Sequence, residues 1–334
     1  SFATRYSGGP DNFWQRLLEI FDAPALCKWA SDLGCETFET KSGRVYLKDL
    51  KAASLLRRWV ARLRESGVIF HMNHRLLEIH PGPPIELVFE NKTRATFEAA
   101  ILAFGGASWP ETGSDGRWMP MLESLGLATT PLAPANCGWE NDWSPEILAA
   151  AEGQPLKNIR VTAEKKSVSG ELILTRYGLE GGPLYALGPI LRAMPSPEIH
   201  LDLKPAHTVE QLVAKMESVR RNFASEARQR WKLGPAAHAL LARREWTDPL
   251  SLAREAKHCL IPLKGPRPIA EAISSAGGLR WDELDENLMV KKIPGLFVCG
   301  EMIDWEAPTG GYLLQGCFAT ATLAAQSACT RLAR

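Results

Sequence analysis

Apolar residues first recur at helical spacing. Phe13, Leu17, Leu18 and Phe21 form one face of a short helix for which Asp11 is the expected cap. Asp22 followed by Pro24 opens a second helix, which Gly34 ends. A hairpin is expected around Lys41-Ser42-Gly43. Over residues 52–66, Leu55, Leu56, Trp59 and Leu63 mark the inward face of an amphipathic helix stopped by Gly67. The period then shortens, and residues 68–72, 76–80, 85–89 and 93–97 read as strands, with Pro81-Gly82-Pro83-Pro84 and Asn91-Lys92 as turns. Residues 99–104 (Ala-Ala-Ile-Leu-Ala-Phe) are uniformly apolar and run into Gly105-Gly106. A strand buried on both faces of a parallel sheet reads this way.

From about residue 131 to 262 the pattern changes. Strands are expected at 158–163, 171–175 and 198–203, then helices from 209 to 256, with Pro134, Pro145, Pro155, Pro195, Pro197 and Pro205 marking loops. The buried-strand signature returns in Gly295-Leu296-Phe297-Val298-Cys299-Gly300, and residues 311–332 form a long helix rich in small residues. The expected fold is α/β: a discontinuous sheet domain formed by 1–130 and 263–334, with an inserted α+β domain at 131–262.

Composition narrows the class. Of 334 residues, 45% are apolar and 23% charged, ordinary for a globular protein whose core needs no disulfide or metal. A formal net charge of +1 gives no argument for nucleic acid or a membrane surface. The local clusters Arg57, Arg58, Arg62, Arg64 and Arg220, Arg221, Arg228, Arg230 read as solvated helix faces. The seven cysteines are scattered without metal-ligand or thioredoxin spacing, and most sit in apolar runs, as buried thiols of a reducing cytoplasm do. No signal peptide or apolar run of membrane-spanning length is present. The sequence begins Ser1-Phe2-Ala3 without Met, as a truncated or processed product would.

Three segments carry candidate chemistry. The first is the Gly-rich run from Ala103 to Gly116, with Gly105-Gly106 at the end of a buried strand. Ligands of open α/β sheets sit beyond strand C-termini, and glycines let backbone approach them. A plain Gly-rich turn explains the same residues equally well. The second is Gly300-Glu301-Met302-Ile303-Asp304-Trp305, where a carboxylate at a strand end can accept hydrogen bonds from ribityl or ribose hydroxyls, or merely cap a turn. The third, Ala307-Pro308-Thr309-Gly310-Gly311-Tyr312, opens the last helix. Its N-terminal amides would stabilise negative charge on a reduced flavin, and Gly310-Gly311 would let backbone meet a flat ring. The plain alternative is a helix capped by Thr309. No metal site and no catalytic side chain can be named.

These runs also resemble signatures of the bacterial aminoacetone-oxidase/BaiN-like (YhiN-type) NAD(P)/FAD-dependent flavoproteins. The matching blocks are Gly105–Gly116, Gly300–Tyr312, Thr175-Arg176-Tyr177-Gly178-Leu179-Glu180-Gly181-Gly182 and Ala272-Ile273-Ser274-Ser275-Ala276-Gly277-Gly278, in the family's order. The resemblance implies that 1–130 with 263–334 form a discontinuous Rossmann-like FAD/NAD(P)-binding domain and 131–262 an inserted α+β substrate domain, with FAD contacts at Gly105, Gly106, Gly300, Glu301, Asp304, Thr309, Gly310, Gly311 and Tyr312 and the backbone of Leu76 facing adenine. It makes Tyr177 and Arg176 candidates to face the flavin, while Phe104 stands where related flavoproteins commonly have Thr. The family's G-x-G-x-x-G turn and Gly-rich Arg-Cys-Asn segment are not among these 334 residues, so weak FAD binding by this stretch alone is expected. The implied activity is hydride or electron transfer between NAD(P)H or a small organic substrate and FAD. Two alternatives stay open: a flavin-dependent RNA-modifying enzyme, or a non-catalytic fragment.

Overall fold

Two three-residue strands far apart in the chain, Ala100–Leu102 and Leu296–Val298, pair in parallel, with Leu296 opposite Ala100 and Val298 opposite Leu102. A computed structural model describes residues 2–41 and 43–333; Ser1, Ser42 (expected in the first hairpin) and Arg334 lie outside the described residues. The chain divides into two compact units, residues 1–133 with 276–334, and residues 134–275.

In the first unit, helix Tyr312–Leu332 packs on the parallel pair. Leu102, Leu296, Phe297, Val298, Ala319 and Ala324 are buried there. A separate antiparallel sheet is formed by Leu76–His80, Ile85–Phe89 and Arg94–Phe97. An aromatic cluster fastens the start of the chain to the start of the last helix. Tyr6 stacks on Trp14 at 4.2 Å, Trp14 meets Trp305 at 4.8 Å, and the Tyr6 hydroxyl donates to the Tyr312 carbonyl at 2.7 Å. Gly316 makes this approach possible, since a Cβ there would lie 2.8 Å from the Trp305 ring.

Several local expectations are corrected. Helix Phe13–Ile20 is preceded by Asn12 in the left-handed region, not capped by Asp11, because the turn closes instead through Phe13 N–H to the Pro10 carbonyl. Asp22 does cap Ala23–Asp32, accepting from the Ala25 amide. In helix Ala52–Glu65 the expected inward Leu56 is 56% exposed, while Leu55, Trp59 and Leu63 are half-buried. Residues 68–72 form no strand, as no backbone edge among the described residues pairs with them. The uniformly apolar run at 99–104 contributes only Ala100–Leu102 as strand, and Ile101 is 40% exposed. The strand is therefore not buried on both faces, and among the described residues it has a strand neighbour on one edge alone.

The second unit holds an antiparallel sheet in the order Cys259–Pro262, Glu198–Asp202, Pro155–Ala163, Lys166–Thr175, Gly178–Glu180, Trp139–Glu140. Alternation along Pro155–Ala163 sends Leu156, Ile159, Val161 and Ala163 inward. Helix Gly182–Ala193 covers the sheet, and helices Val209–Ala214, Phe223–Arg230, Pro235–Leu241 and Pro249–Lys257 complete the unit. The compact unit runs to Ser275. Arg267 binds Glu140 at 2.8 Å and lies 4.4 Å over the Tyr177 ring, and Asn136 donates to Ser274 at 2.7 Å. Among the described residues no helix is long and apolar enough to cross a membrane.

Two expectations follow from this packing. Gly277 sits at φ +86° with an added Cβ only 2.3 Å from the Pro131 carbonyl oxygen. Gly277→Ala should cost at least about 1–3 kcal/mol, read by urea denaturation. Burial pushes the thiols of Cys137 and Cys299 up to about 11 and of Cys259 up to about 12, so all three remain S–H at pH 8. A thiol reagent at that pH should label exposed Cys329 rapidly and these three only after denaturant is added.

Candidate functional site

Because the paired strands are parallel, their C-terminal ends lie on the same side of the first unit. The ladder continues one residue further, with the Cys299 amide donating to the Leu102 carbonyl at 3.1 Å. Both strands then turn through glycines at positive φ, Gly105 at +75° and Gly300 at +69°. The Gly105 carbonyl accepts from Trp118 Nε1 at 2.9 Å, and Gly106 behind it is buried. The Gly300 amide donates to Thr320 Oγ1 at 3.0 Å, and its carbonyl accepts from Trp305 Nε1 at 2.8 Å. Each turn is thus fixed by a side chain from another element.

Glu301 is half-buried near Cys317. Burial, then the neighbouring Glu301, pushes the Cys317 thiol up to about 12, so it stays protonated. Asp304 is held at three points. Its amide donates to Leu279 O at 2.9 Å, its carbonyl accepts from Trp281 Nε1 at 2.6 Å, and Oδ2 accepts from Thr130 Oγ1 at 2.6 Å. A carboxylate offers about four acceptor positions, so the Thr130 bond orients it while leaving capacity for ligand hydroxyls.

Thr309 does not cap the last helix. Gly311 occupies the cap position at φ +92°, and the first intrahelical bond runs from Gln315 N–H to the Gly311 carbonyl. Thr309 is half-buried, whereas Gly310 and Gly311 are exposed. An added Cβ on Gly311 meets nothing within 4 Å, so backbone is bare there. Tyr312 follows as the first helical residue, anchored through its carbonyl by Tyr6. The amides of this first turn have no partner within the helix and carry the positive end of its dipole.

Leu76 opens strand Leu76–His80 and lines a cavity of about 540 Å³ with Phe104, Asp115, Arg117, Trp118 and Met121. The structure thereby brings Leu76 together with the first Gly-rich segment. Gly300, Glu301, Asp304 and residues 309–312 do not line this cavity. The implied dinucleotide can be tested against these features. Ser114 Oγ is buried without a hydrogen-bond partner among the described residues, and a Cβ on Gly105 would stand 2.9 Å from it. A buried hydroxyl beside a glycine, a slot in which Leu76 and Phe104 stand beside Asp115 and Arg117, a positioned carboxylate and a bare Gly-Gly helix start fit a ligand with aromatic and hydroxylated parts.

In the second unit, Tyr177 donates to Glu180 Oε2 at 2.5 Å and Tyr185 to Oε1 at 3.3 Å. Burial, then the Glu180 bond, pushes the Tyr177 phenol up to about 12; burial and Glu180 also raise Tyr185. Arg176 is an exposed partner of Glu152 at 3.1 Å. Sequence reasoning missed Ser114, Thr130, Trp281, Thr320 and the Glu180–Tyr185 pair. Ser114 and Glu180 left a signal, since both belong to quoted blocks, and Tyr185 lies five positions beyond Glu180.

Thr130→Val should leave Asp304 without its side-chain donor and destabilise the protein by about 1–3 kcal/mol in urea unfolding, whereas Thr112→Val on an exposed turn should be close to neutral.

The chain is 25% identical to a 3-dehydro-bile acid delta(4,6)-reductase of Clostridium scindens, over 98% of this chain and 86% of that protein. It is 22% identical to the ribosomal RNA dihydrouridine synthase of Escherichia coli, over 88% and 76%. Among solved structures, Mycobacterium smegmatis Sdh1 in complex with UQ1 aligns at a TM-score of 0.37 and 17% identity, covering 96% of this chain, which spans 60% of that one. A family model described as HI0933-like protein Rossmann domain matches residues 1–327. The α/β architecture, a discontinuous Rossmann-like domain interrupted by an α+β unit, accords with that match. The chain therefore belongs to the HI0933-like protein Rossmann domain family.

Proposed function

We propose that the protein is an FAD-dependent oxidoreductase whose flavin lies over the Gly105 and Gly300 turns. The observation that carries this reading is the juxtaposition of two glycine-ended parallel strands with Asp304, whose carboxylate is oriented by Thr130 and whose backbone carbonyl is held by Trp281. Bound there, FAD would supply hydride or electron transfer between NAD(P)H or a small organic substrate and its own ring. Asp304 would accept hydrogen bonds from ribityl hydroxyls. Bare backbone at Gly310 and Gly311 would approach the ring, and the first-turn amides after Gly311 would stabilise negative charge. Gly106 and Glu301 would line the turns, Thr309 and Tyr312 would flank the helix start, and Leu76 would present backbone to adenine. Residues 134–275 would serve as the substrate domain. Free thiols suit a cytoplasmic setting.

A second reading, RNA modification by a flavin, is favoured by the likeness to the dihydrouridine synthase and by exposed Arg220, Arg221, Arg228 and Arg230. Binding of a ribosomal RNA fragment that is lost on charge reversal of these arginines would support it over a small-molecule substrate.

Titrated with excess FAD, the purified protein should show a bound-flavin absorbance that bleaches anaerobically on addition of NADH or NADPH, with the weak affinity expected of this stretch alone. Asp304→Ala should weaken FAD binding at least a further tenfold, about 1.4 kcal/mol or more, measured by flavin fluorescence beside an unfolding control. A folded protein that binds no flavin even at saturating FAD, or an Asp304→Ala variant that binds it unchanged, would overturn the assignment.

A further inference from the structure

The second unit contains a cavity of about 600 Å³ walled by the beginning of strand Pro155–Ala163, the turn at 203–207 and the loop at 232–235. Lys157, Lys204, Lys232 and His207 line it. Lys215 stands behind His207, its Nζ 2.7 Å from Nε2. An ammonium can only donate, so Nε2 accepts and the ring carries its proton on Nδ1. That Nδ1 is buried and has no hydrogen-bond partner among the described residues.

The positive charges here lack counter-charge. The neighbouring carboxylate, Asp202, is taken by Lys257 at 2.6 Å and by the Lys204 amide at 3.0 Å. Lys204 Nζ reaches only the Lys232 carbonyl, at 3.5 Å, and neither Lys157 nor Lys232 forms an ion pair among the described residues. Burial, then the charges of Lys215 and Lys232, holds the Lys204 ammonium below the usual lysine range. Lys257 also donates to the Lys204 and His207 carbonyls at 3.0 and 2.7 Å, which fixes the turn that presents them. Gathering like charges without a counter-ion costs stability unless an anion offsets it. The charged side chains that line the cavity are ammonium donors, beside the amides of Gln154 and Asn158, and lysines bind phosphate as point charges.

We propose that this cavity binds a small phosphorylated molecule. Lys157, Lys204 and Lys232 hold its phosphate with the Nδ1–H of His207, and Pro155, Leu203 and Pro235 receive its organic part. The concavity and volume suit a small molecule, being within the usual range of such sites. The site stands independently of the flavin assignment, since every residue named belongs to residues 134–275.

Calorimetric titration of the whole chain with inorganic pyrophosphate, and separately with inorganic phosphate, at low ionic strength tests this. The expected result is one saturable site, weakened at least tenfold by Lys204→Gln and by Lys232→Gln and unchanged by Lys165→Gln, an exposed lysine outside the cavity. The His207 Nδ1–H resonance should move with the same saturation curve. Should Lys204→Gln fail to fold, the exposed pair Lys157→Gln and Lys232→Gln decides. Absence of saturable binding by either anion, or equal weakening by Lys165→Gln, would overturn the proposal. So would an RNA oligonucleotide that binds through these lysines and is not displaced by pyrophosphate.

Discussion

The first unit depends on one short parallel pairing. Ala100–Leu102 and Leu296–Val298 share only three residues of register, extended by the Cys299 amide on the Leu102 carbonyl. Parallel strands cannot be joined by a tight turn, so this contact closes a very long loop, and chain entropy opposes it. Burial of Leu102, Leu296, Phe297 and Val298 beneath helix Tyr312–Leu332 offsets that cost. The direction of pairing has a chemical consequence. Both strands end on one side, so two positive-φ glycines and Asp304 come to neighbouring places in the fold.

Side chains from other elements then fix what the pairing brings together. Trp118 holds the Gly105 carbonyl, Trp305 and Thr320 hold Gly300, and Thr130 with Trp281 holds Asp304. Three of these donors are indole N–H groups, which combine a large buried ring with one directional bond. The same use of aromatics appears where Tyr6 stacks on Trp14 and donates to Tyr312. Rigid support of this kind is what a ligand site needs, because a turn that must reorganise on binding loses affinity to the ordering.

The second unit has a different economy. Its sheet is antiparallel throughout, its pairings range from the hairpin of Pro155–Ala163 with Lys166–Thr175 to that of Glu198–Asp202 with Cys259–Pro262 across four helices, and its core is largely aliphatic, with Val161, Leu172, Leu174, Ile199, Leu201 and Ile261 fully buried. Polar groups are gathered in two places. Glu180 accepts from Tyr177 and Tyr185, so its charge is answered by hydroxyls, and Arg267 is answered by Glu140 and Glu271. Around Lys204 lysines gather, and the neighbouring carboxylate of Asp202 is taken by Lys257.

The sequence by itself determined whatever depends on neighbours a few positions away. The period of 76–80 and 85–89 fixed those strands, Asp22 fixed its helix start, and the apolar run ending in Gly295-Leu296-Phe297-Val298-Cys299-Gly300 marked a buried strand. The glycine-rich segments stood out because positive φ demands glycine locally. Tertiary structure decided the rest. Residues 68–72 have strand composition but no strand, and Ile101 is exposed in a uniformly apolar run, because a strand needs an edge supplied from elsewhere. Thr309 has the chemistry of a cap, yet Gly311 takes that place as the chain bends toward Tyr6. Asp304 could be read as a turn cap until Thr130, distant in sequence, was found against its carboxylate. Local hydrogen bonding and periodicity are written in consecutive residues, whereas the partner of a buried polar group is set by topology, which brings together residues that no spacing along the chain relates.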